Sequence, residues 1–82
     1  MELSVESMEK LIEEYNLTSR ELHMIQLILR RNVSNSDIAK KVGLTNSTIR
    51  QYLHILYAKF RVNSKLEVIL ELADRGFLIP SK

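Results

Sequence analysis

Helix-start signals recur along this 82-residue chain and restrict its fold more than any other feature of the sequence. In each signal a serine or threonine precedes an apolar-periodic run, where its side-chain oxygen can accept a hydrogen bond from a backbone N–H of the first helical turn. Thr18 with Glu21, and Ser64 with Glu67, have the spacing of a capping box. The sequence predicts five short helices, without a strand pattern, an internal repeat or a low-complexity tract. The predicted N-caps are Ser4, Thr18, Ser34, Thr45 and Ser64.

The helix ends are predicted from residues that tolerate a left-handed backbone or break the apolar period. An amphipathic first helix covers residues 4–15, and the second helix is expected to end just before Asn32, which can take the left-handed conformation. Gly43 ends a very short third helix, and Gly76 ends the last one. The apolar residues 77–80 are predicted to fold back on the helices.

The third and fourth helices are joined by a turn typical of a helix-turn-helix. Ile38 and Ala39 belong to the buried stripe of the third helix, and Ala39 is small where a second helix must approach closely. Residues 42–45 supply a short turn containing glycine. Thr45 then opens a helix that is predicted to cover residues 46–60.

This fourth helix has two chemically distinct faces. At about 100° per residue, its large apolar side chains fall on one stripe and its hydrogen-bonding side chains on the opposite side. Arginine, glutamine, histidine and serine can address base edges, so we hypothesise a recognition helix that lies in the major groove of DNA. The apolar stripe contains Ile49, Leu53, Leu56 and Phe60, and the polar face contains Ser47, Arg50, Gln51 and His54.

The charge is distributed unevenly along the chain. Five glutamates against Lys10 give residues 1–15 a net charge of −4, whereas eleven lysines and arginines against five acidic residues give residues 16–82 a net charge of +6. A basic body is expected of a protein that binds a polyanion such as DNA.

Several classes of function are not expected. The chain has no cysteine, no apolar run near the roughly 20 residues that span a bilayer, and no signal-peptide pattern at its start, so we expect a cytoplasmic protein without membrane contact. His23 and His54 have no companion motif, which argues against a catalytic or metal site. We therefore expect no enzymatic activity, no cofactor and no small-molecule site.

Four short motifs stand in the order found in a known family. They are Leu17-Thr18-Ser19-Arg20-Glu21 for Leu-Thr-x-Arg-Glu, Ser34-Asn35-Ser36-Asp37-Ile38-Ala39 for Ser-Asn-x-Glu-Ile-Ala, Thr48-Ile49-Arg50-Gln51-Tyr52 for Thr-Val-Lys-x-His, and Lys59-Phe60-Arg61-Val62 for Lys-Leu-x-Val. Residues 17–79 thereby resemble the LuxR/GerE-type helix-turn-helix domain of bacterial transcription regulators. Asn32, Tyr52 and Lys65 depart from the family's usual glycine, histidine and arginine.

The resemblance implies an all-α, tetrahelical domain that binds double-stranded DNA, here with an additional N-terminal helix. It implies a homodimer formed through the last helix on a palindromic or pseudopalindromic operator, and RNA polymerase as a further partner. It also implies that such a domain serves as the effector domain of a response regulator or ligand-sensing protein. We accordingly divide the chain into an acidic helix or linker over residues 1–16 and a DNA-binding domain over residues 17–82.

Each predicted site residue follows from the face that it occupies. Arginine pairs well with guanine and glutamine with adenine, so the outward residues of the recognition helix are candidates for base contacts, and its flanks for phosphate contacts. The apolar arc of the last helix is wider than one core contact needs, which suggests a dimer interface. The candidates are Arg50, Gln51 and His54 for bases; Thr48, Lys59, Ser47, Ser34 and Asn35 for the DNA backbone; and Val68 and Leu72 for the dimer interface.

Alternatives remain at this point. A promoter-reading module of a sigma factor has a similar helix-turn-helix and would need core polymerase, whereas a helical adaptor would bind and sequester a related regulator. The first helix, for which a plain linker is the favoured interpretation, has two other candidate roles. It would cover apolar surface, for example near Ile55, and tune access to DNA by its charge, or it would mediate self-association or continue from a removed domain.

Overall fold

The computed structural model describes residues 2–30 and 34–79. The predicted all-α fold with an additional N-terminal helix is confirmed. Two very short strands join it, which the sequence pattern did not predict. The predicted end of the second helix at Asn32, and Pro80 of the apolar tail, lie outside the described residues. The elements are β1 (Glu2–Leu3), α1 (Val5–Tyr15), α2 (Ser19–Leu29), α3 (Asn35–Val42), α4 (Asn46–Phe60), α5 (Lys65–Asp74) and β2 (Leu78–Ile79).

All the predicted N-caps form. In each of them the capping hydroxyl accepts a hydrogen bond from the backbone N–H three residues later, as between Thr18 Oγ1 and Glu21 N at 3.1 Å. At α2 the capping box is complete, because Glu21 Oε1 accepts a bond from Thr18 N at 2.8 Å. At α5 the Glu67 carboxylate reaches one residue further and accepts from Asn63 N at 2.7 Å. Local hydrogen bonding thus starts each helix where the sequence predicts it.

One hydrophobic core is shared by all the helices. It contains fully buried side chains from each of them, such as Leu11 of α1, Ile25 of α2, Ile38 of α3, Leu56 of α4 and Leu72 of α5. The predicted stripe of α4 is confirmed, since every member lies in this core. Helices of this length bury enough apolar surface only when they pack together, so the unit depends on contacts among all of them.

The N-terminal segment is part of this unit, and the interpretation of residues 1–16 as a plain linker is wrong. Leu11 is fully buried, and the Tyr15 ring stacks on Phe60 with centroids 4.3 Å apart. Arg75, at the end of α5, pairs with Glu14 and donates to the Tyr15 hydroxyl at 2.7 Å. The apolar surface that α1 contacts therefore includes Phe60 at the end of α4, whereas Ile55 stays exposed.

The two strands bring the ends of the described chain together. They pair antiparallel, with Glu2 opposite Ile79 and Leu3 opposite Leu78. Gly76 has a φ of 75°, a left-handed conformation that favours glycine, and it turns the chain out of α5. The predicted fold-back of the tail is confirmed for the described residues 77–79: Phe77 is buried and Leu78 is half-buried.

The assignment of Val68 and Leu72 to a dimer interface is wrong. Both side chains are fully buried in the core of the chain itself. Because they are four residues apart, they lie on the same side of α5, and that side faces the other helices. The large exposed hydrophobic side chains of α5 are Leu66 at 63% and Leu70 at 56%. The apolar arc of α5 is wide, as predicted, but the large side chains on its outward part are Leu66 and Leu70 and not Val68 and Leu72.

Candidate nucleic-acid interface

The turn between α3 and α4 fixes the direction of the fourth helix. Gly43 ends α3 with a φ of 73°, and Leu44 N donates to Ala39 O at 3.0 Å. Thr45 then caps α4 by accepting from Thr48 N at 3.2 Å. Ala39 is buried, as its small side chain next to a second helix requires. The predicted helix-turn-helix is therefore present in the structure.

The outward face of α4 consists of the polar residues that the sequence predicts. Ser47, Arg50, Gln51 and His54 are all exposed, and Ile49 and Leu53 on the other side are buried. These side chains stand on a helix of 15 residues that a cap and a packed face hold in place. The arrangement presents hydrogen-bond donors and acceptors to a ligand that approaches from outside.

One flank of this face borders a depression between α3, α4 and the start of α5, with a volume of about 280 Å³. The structure brings Asn35, Arg50 and His54 together there, whereas Gln51 does not line it. Lys65 is also in the wall, and its Nζ donates to Asn35 Oδ1 at 2.7 Å. Burial holds the pKa of Lys65 below its ordinary value. The depression therefore combines two cationic side chains with amide groups.

The other flank carries a contact that sequence reasoning missed. Arg20 lies over the ring of Tyr52 with its guanidinium carbon 5.7 Å from the ring centroid, and Arg20 Nη1 donates to the Tyr52 hydroxyl at 3.4 Å. The two residues are far apart in sequence, so only the packing of α2 against α4 brings them together. The sequence marks Tyr52 as unusual, because the family has a histidine at this position, but it does not indicate that Arg20 is its partner.

Three predicted backbone contacts have hydrogen bonds within the chain. Ser34 Oγ accepts from Asp37 N at 3.0 Å, Thr48 Oγ1 lies 2.9 Å from Thr45 Oγ1, and Asn35 binds Lys65 as described. Ser34 and Thr48 thus contribute to the caps of α3 and α4, which lie at the edge of the candidate interface. Ser47 is exposed at the start of α4.

The predicted phosphate contact from Lys59 does not fit the structure. Lys59 Nζ donates to Glu21 Oε1 at 2.6 Å and to the carbonyl oxygen of Asn16 at 2.8 Å. Only 24% of the Lys59 side chain is exposed, and 4% of the Glu21 side chain. The ammonium group therefore neutralises a buried carboxylate and binds the C-terminal end of α1, where the helix dipole favours a cation. Its role in this structure is to hold α1, α2 and α4 together.

Within residues 2–30 and 34–79, no group of three or more acidic or histidine side chains is arranged to hold a metal ion. No helix in the same part of the chain is long and apolar enough to cross a membrane.

Comparison with known proteins gives one family and one relative. The model of the luxR family of bacterial regulatory proteins matches residues 15–72, which include α2, α3 and α4. The chain is also 29% identical over 73 residues to the transcriptional regulatory protein DesR of Bacillus subtilis (strain 168). This match covers 88% of the chain and 36% of the relative, so the chain spans little more than a third of that protein. No solved structure matches the chain significantly.

Proposed function

Because the chain belongs to the luxR family of bacterial regulatory proteins, we propose that it is a sequence-specific transcription regulator that binds double-stranded DNA through α4. The observation that carries the proposal is the exposed face of Arg50, Gln51 and His54 on a helix whose opposite face is fully packed. The fit is supported by the basic body of the chain, with a net charge of +6 over residues 16–82. The chain acts by binding and not by catalysis.

In the proposed complex α4 lies in the major groove. Arg50 pairs with guanine O6 and N7, and Gln51 with adenine N6 and N7, because these side chains match those edges in a bidentate manner. His54 lies one turn after Arg50, so it addresses a neighbouring base pair. Arg50 and His54 also border the depression next to α5, whereas Gln51 does not line it.

The flanks of α4 meet the two phosphate strands that border the groove. On the Thr48 side, we propose contacts from the start of α4, including Ser47, together with Arg20 above Tyr52. On the other side, Lys65 and Asn35 stand at the starts of α5 and α3, and Ser34 precedes Asn35. Lys59 has no place in this scheme because Glu21 and Asn16 already hold it.

We propose that two copies bind together through the outward face of α5. Leu66 and Leu70 lie four residues apart on that face, and both are more than half exposed. Val62 and the acidic residues Glu67 and Glu71 border the same surface beside Leu70. A symmetric pair of such helices presents two copies of α4 to successive half-sites, so the operator is expected to be palindromic or pseudopalindromic.

The proposed place of action is the cytoplasm, in association with the nucleoid when the protein is bound to DNA. RNA polymerase is the proposed further partner, since a regulator acts on transcription by changing how polymerase uses a promoter.

Selection from a random library of DNA duplexes, performed with the whole chain, tests the proposed function. A shared sequence is expected, with two related half-sites about one helical turn apart. Arg50→Ala is expected to lower affinity for the selected site and to weaken discrimination at one base pair, at a cost of about 1–3 kcal/mol. The matched control is Lys10→Ala, which removes an exposed cation from α1.

Other outcomes would replace the proposal. Failure to enrich any sequence, together with tight binding to a related helix-turn-helix domain, would indicate an adaptor that sequesters a regulator. Enrichment only in the presence of core RNA polymerase would indicate a promoter-reading module of the sigma-factor type. Equal losses for Arg50→Ala and Lys10→Ala on every duplex would show that Arg50 contributes only charge.

A further inference from the structure

Ile55 is a large, exposed apolar side chain on a helix face that is mostly polar. It is 49% exposed. The other large hydrophobic residues with comparable exposure in the described part of the chain lie on α1, α5 or β2, so Ile55 is the member of this group that belongs to α4. Its neighbours three and four positions away are Gln51 and Tyr52 before it and Ala58 and Lys59 after it. Apart from the half-buried ring of Tyr52 and the small side chain of Ala58, its neighbours along α4 are polar, so it is not part of an extended apolar patch.

The helical period places Ile55 beside the residues proposed to read bases. It follows Gln51 by four positions, which puts the two side chains about 40° apart around the axis and about 6 Å apart along it. That axial distance is close to the rise of two base pairs at about 3.4 Å each. A helix that brings Gln51 to a base edge therefore brings Ile55 to the groove floor within about two base pairs.

We propose that Ile55 contacts the C5-methyl group of a thymine and makes the operator specific for that base. The inference rests on the proposed function. Among the base edges in the major groove, thymine presents the apolar group, and an aliphatic side chain gains by covering it, whereas it leaves the amino group of cytosine without a partner. A β-branched side chain on a helix is almost confined to one χ1 rotamer, so Ile55 loses little freedom when it makes this contact.

The surroundings of Ile55 favour DNA over a protein partner. An interface between proteins needs a contiguous surface of roughly 800 Å² on each side with a largely apolar centre. Ile55 is instead the large exposed hydrophobic side chain of α4, next to Gln51 and Lys59, on the basic body of the chain. A DNA duplex presents isolated methyl groups among hydrogen-bonding base edges and phosphates, which matches such a face.

Substitution of thymine by deoxyuridine tests the proposed contact by removing one methyl group at a time. The probe is the duplex selected from the random library by the whole chain, in which each thymine is replaced in turn by deoxyuridine, which lacks only the methyl group. For the natural sequence, one position in each half-site is expected to lose affinity by about fourfold, the value of one buried methyl group. For the variant Ile55→Ala, replacing that thymine by deoxyuridine should not change the affinity. For the variant Ile55→Val, it should cause most of the loss seen with the natural sequence.

Val5→Ala is the matched control, because it truncates a β-branched side chain that is 68% exposed on α1. It should keep the deoxyuridine profile of the natural sequence. The position sensitive to Ile55 should lie within about two base pairs of the position whose recognition is lost in Gln51→Ala. Circular dichroism of every variant confirms that α4 is folded.

The results separate the two proposals. If a site is selected but Ile55→Ala shows the same deoxyuridine profile as the natural sequence, Ile55 does not contact a thymine methyl and the proposed function still holds. If removal of the methyl group changes the affinity at no position, the proposed contact is likewise absent and the proposed function still holds. If no duplex is selected at all, both proposals fall.

Discussion

Glu21 is the buried charged residue of the described part of the chain, with 3% of its surface exposed. Its carboxylate accepts two hydrogen bonds through Oε1, from Thr18 N in the capping box and from Lys59 Nζ. A charge that is removed from water is tolerated only when such partners surround it. One acidic residue thus begins α2 and also holds the far end of α4.

Replacement of Lys59 by alanine should therefore affect stability and not the electrostatics of DNA binding. The Glu21 carboxylate loses its cationic partner while it stays buried, so the free energy of unfolding is expected to fall by about 1–3 kcal/mol in urea titration. The slope of affinity against salt concentration should stay unchanged, since no phosphate contact is lost. Lys10→Ala serves as the control with an exposed lysine. A slope reduced by about 1 with unchanged stability would restore Lys59 to the DNA interface.

At the scale of the element, α1 contributes to the core in a manner that its acidic composition conceals. Adjacent residues on this helix differ sharply in environment: Leu11 is fully buried, whereas Ile12 is 43% exposed. At the C-terminal end, Tyr15 lies against Phe60 of α4. Glu6, Glu9 and Glu13 are exposed on the side away from Leu11, whereas Glu14 pairs with Arg75. Most of the negative charge of α1 is therefore on the side opposite its packed face.

The pair Leu11 and Ile12 provides a direct test of this packing. Leu11→Ala leaves a cavity in the shared core and is expected to lower the free energy of unfolding by about 2–5 kcal/mol. Ile12→Ala should change it by less than about 1 kcal/mol, because the side chain is already in contact with water. Chemical denaturation of both variants measures the difference. Equal values would mean that α1 does not pack on the core in solution.

Some elements were predictable from local sequence and others were not. Helix starts depend on a hydroxyl and a backbone N–H three residues apart, so Thr18, Ser34 and Thr45 identified them without knowledge of the fold. Long-range partners have no such local signal. The bond between Lys59 and Glu21 joins residues 38 positions apart, and a resemblance to a family assigns motifs without saying which side chains they engage.

The same reasoning explains the error at α5. Six apolar residues in this helix made an arc too wide to show which part faces the core. Only the packing of α5 against the other helices selects Val68 and Leu72 for the interior. The polar face of α4 was easier to predict, because Arg50 and Gln51 are costly to bury without partners, so they had to face outward. Their assignment to bases stays a prediction.

At the scale of the whole molecule, the outward faces of α4 and α5 are separate parts of the surface, and both helices pack on the same small core. The radius of gyration of the Cα atoms is 11.9 Å, so each helix lies close to the surface as well as to the interior. The Lys65 and Asn35 contact joins the start of α5 to the helix-turn-helix. In the proposed dimer through α5, this contact would help to fix the position of each α4 relative to the interface.

Leu70→Lys should disrupt that assembly. A charge in the centre of the proposed interface opposes its burial, so the variant is expected to sediment as a monomer on DNA. Its affinity for a duplex with two half-sites should fall by about a hundredfold, toward that for one half-site. Ile12→Lys places the same charge at an exposed position on α1 and should bind normally. If Leu70→Lys binds a duplex with two half-sites and a duplex with one half-site as tightly as the natural sequence does, α5 is not the interface.

The pairing of β1 with β2 determines how the domain responds to tension. Glu2 and Ile79 are opposite each other at the outer end of the ladder, so a force that pulls them apart acts across the strands and breaks the pairs one after another. Leu3 and then α1 are drawn away from the core before the load reaches the helix-turn-helix. We therefore expect the domain to yield first at its joined ends, where a pulling force separates β1 from β2 before it reaches α4.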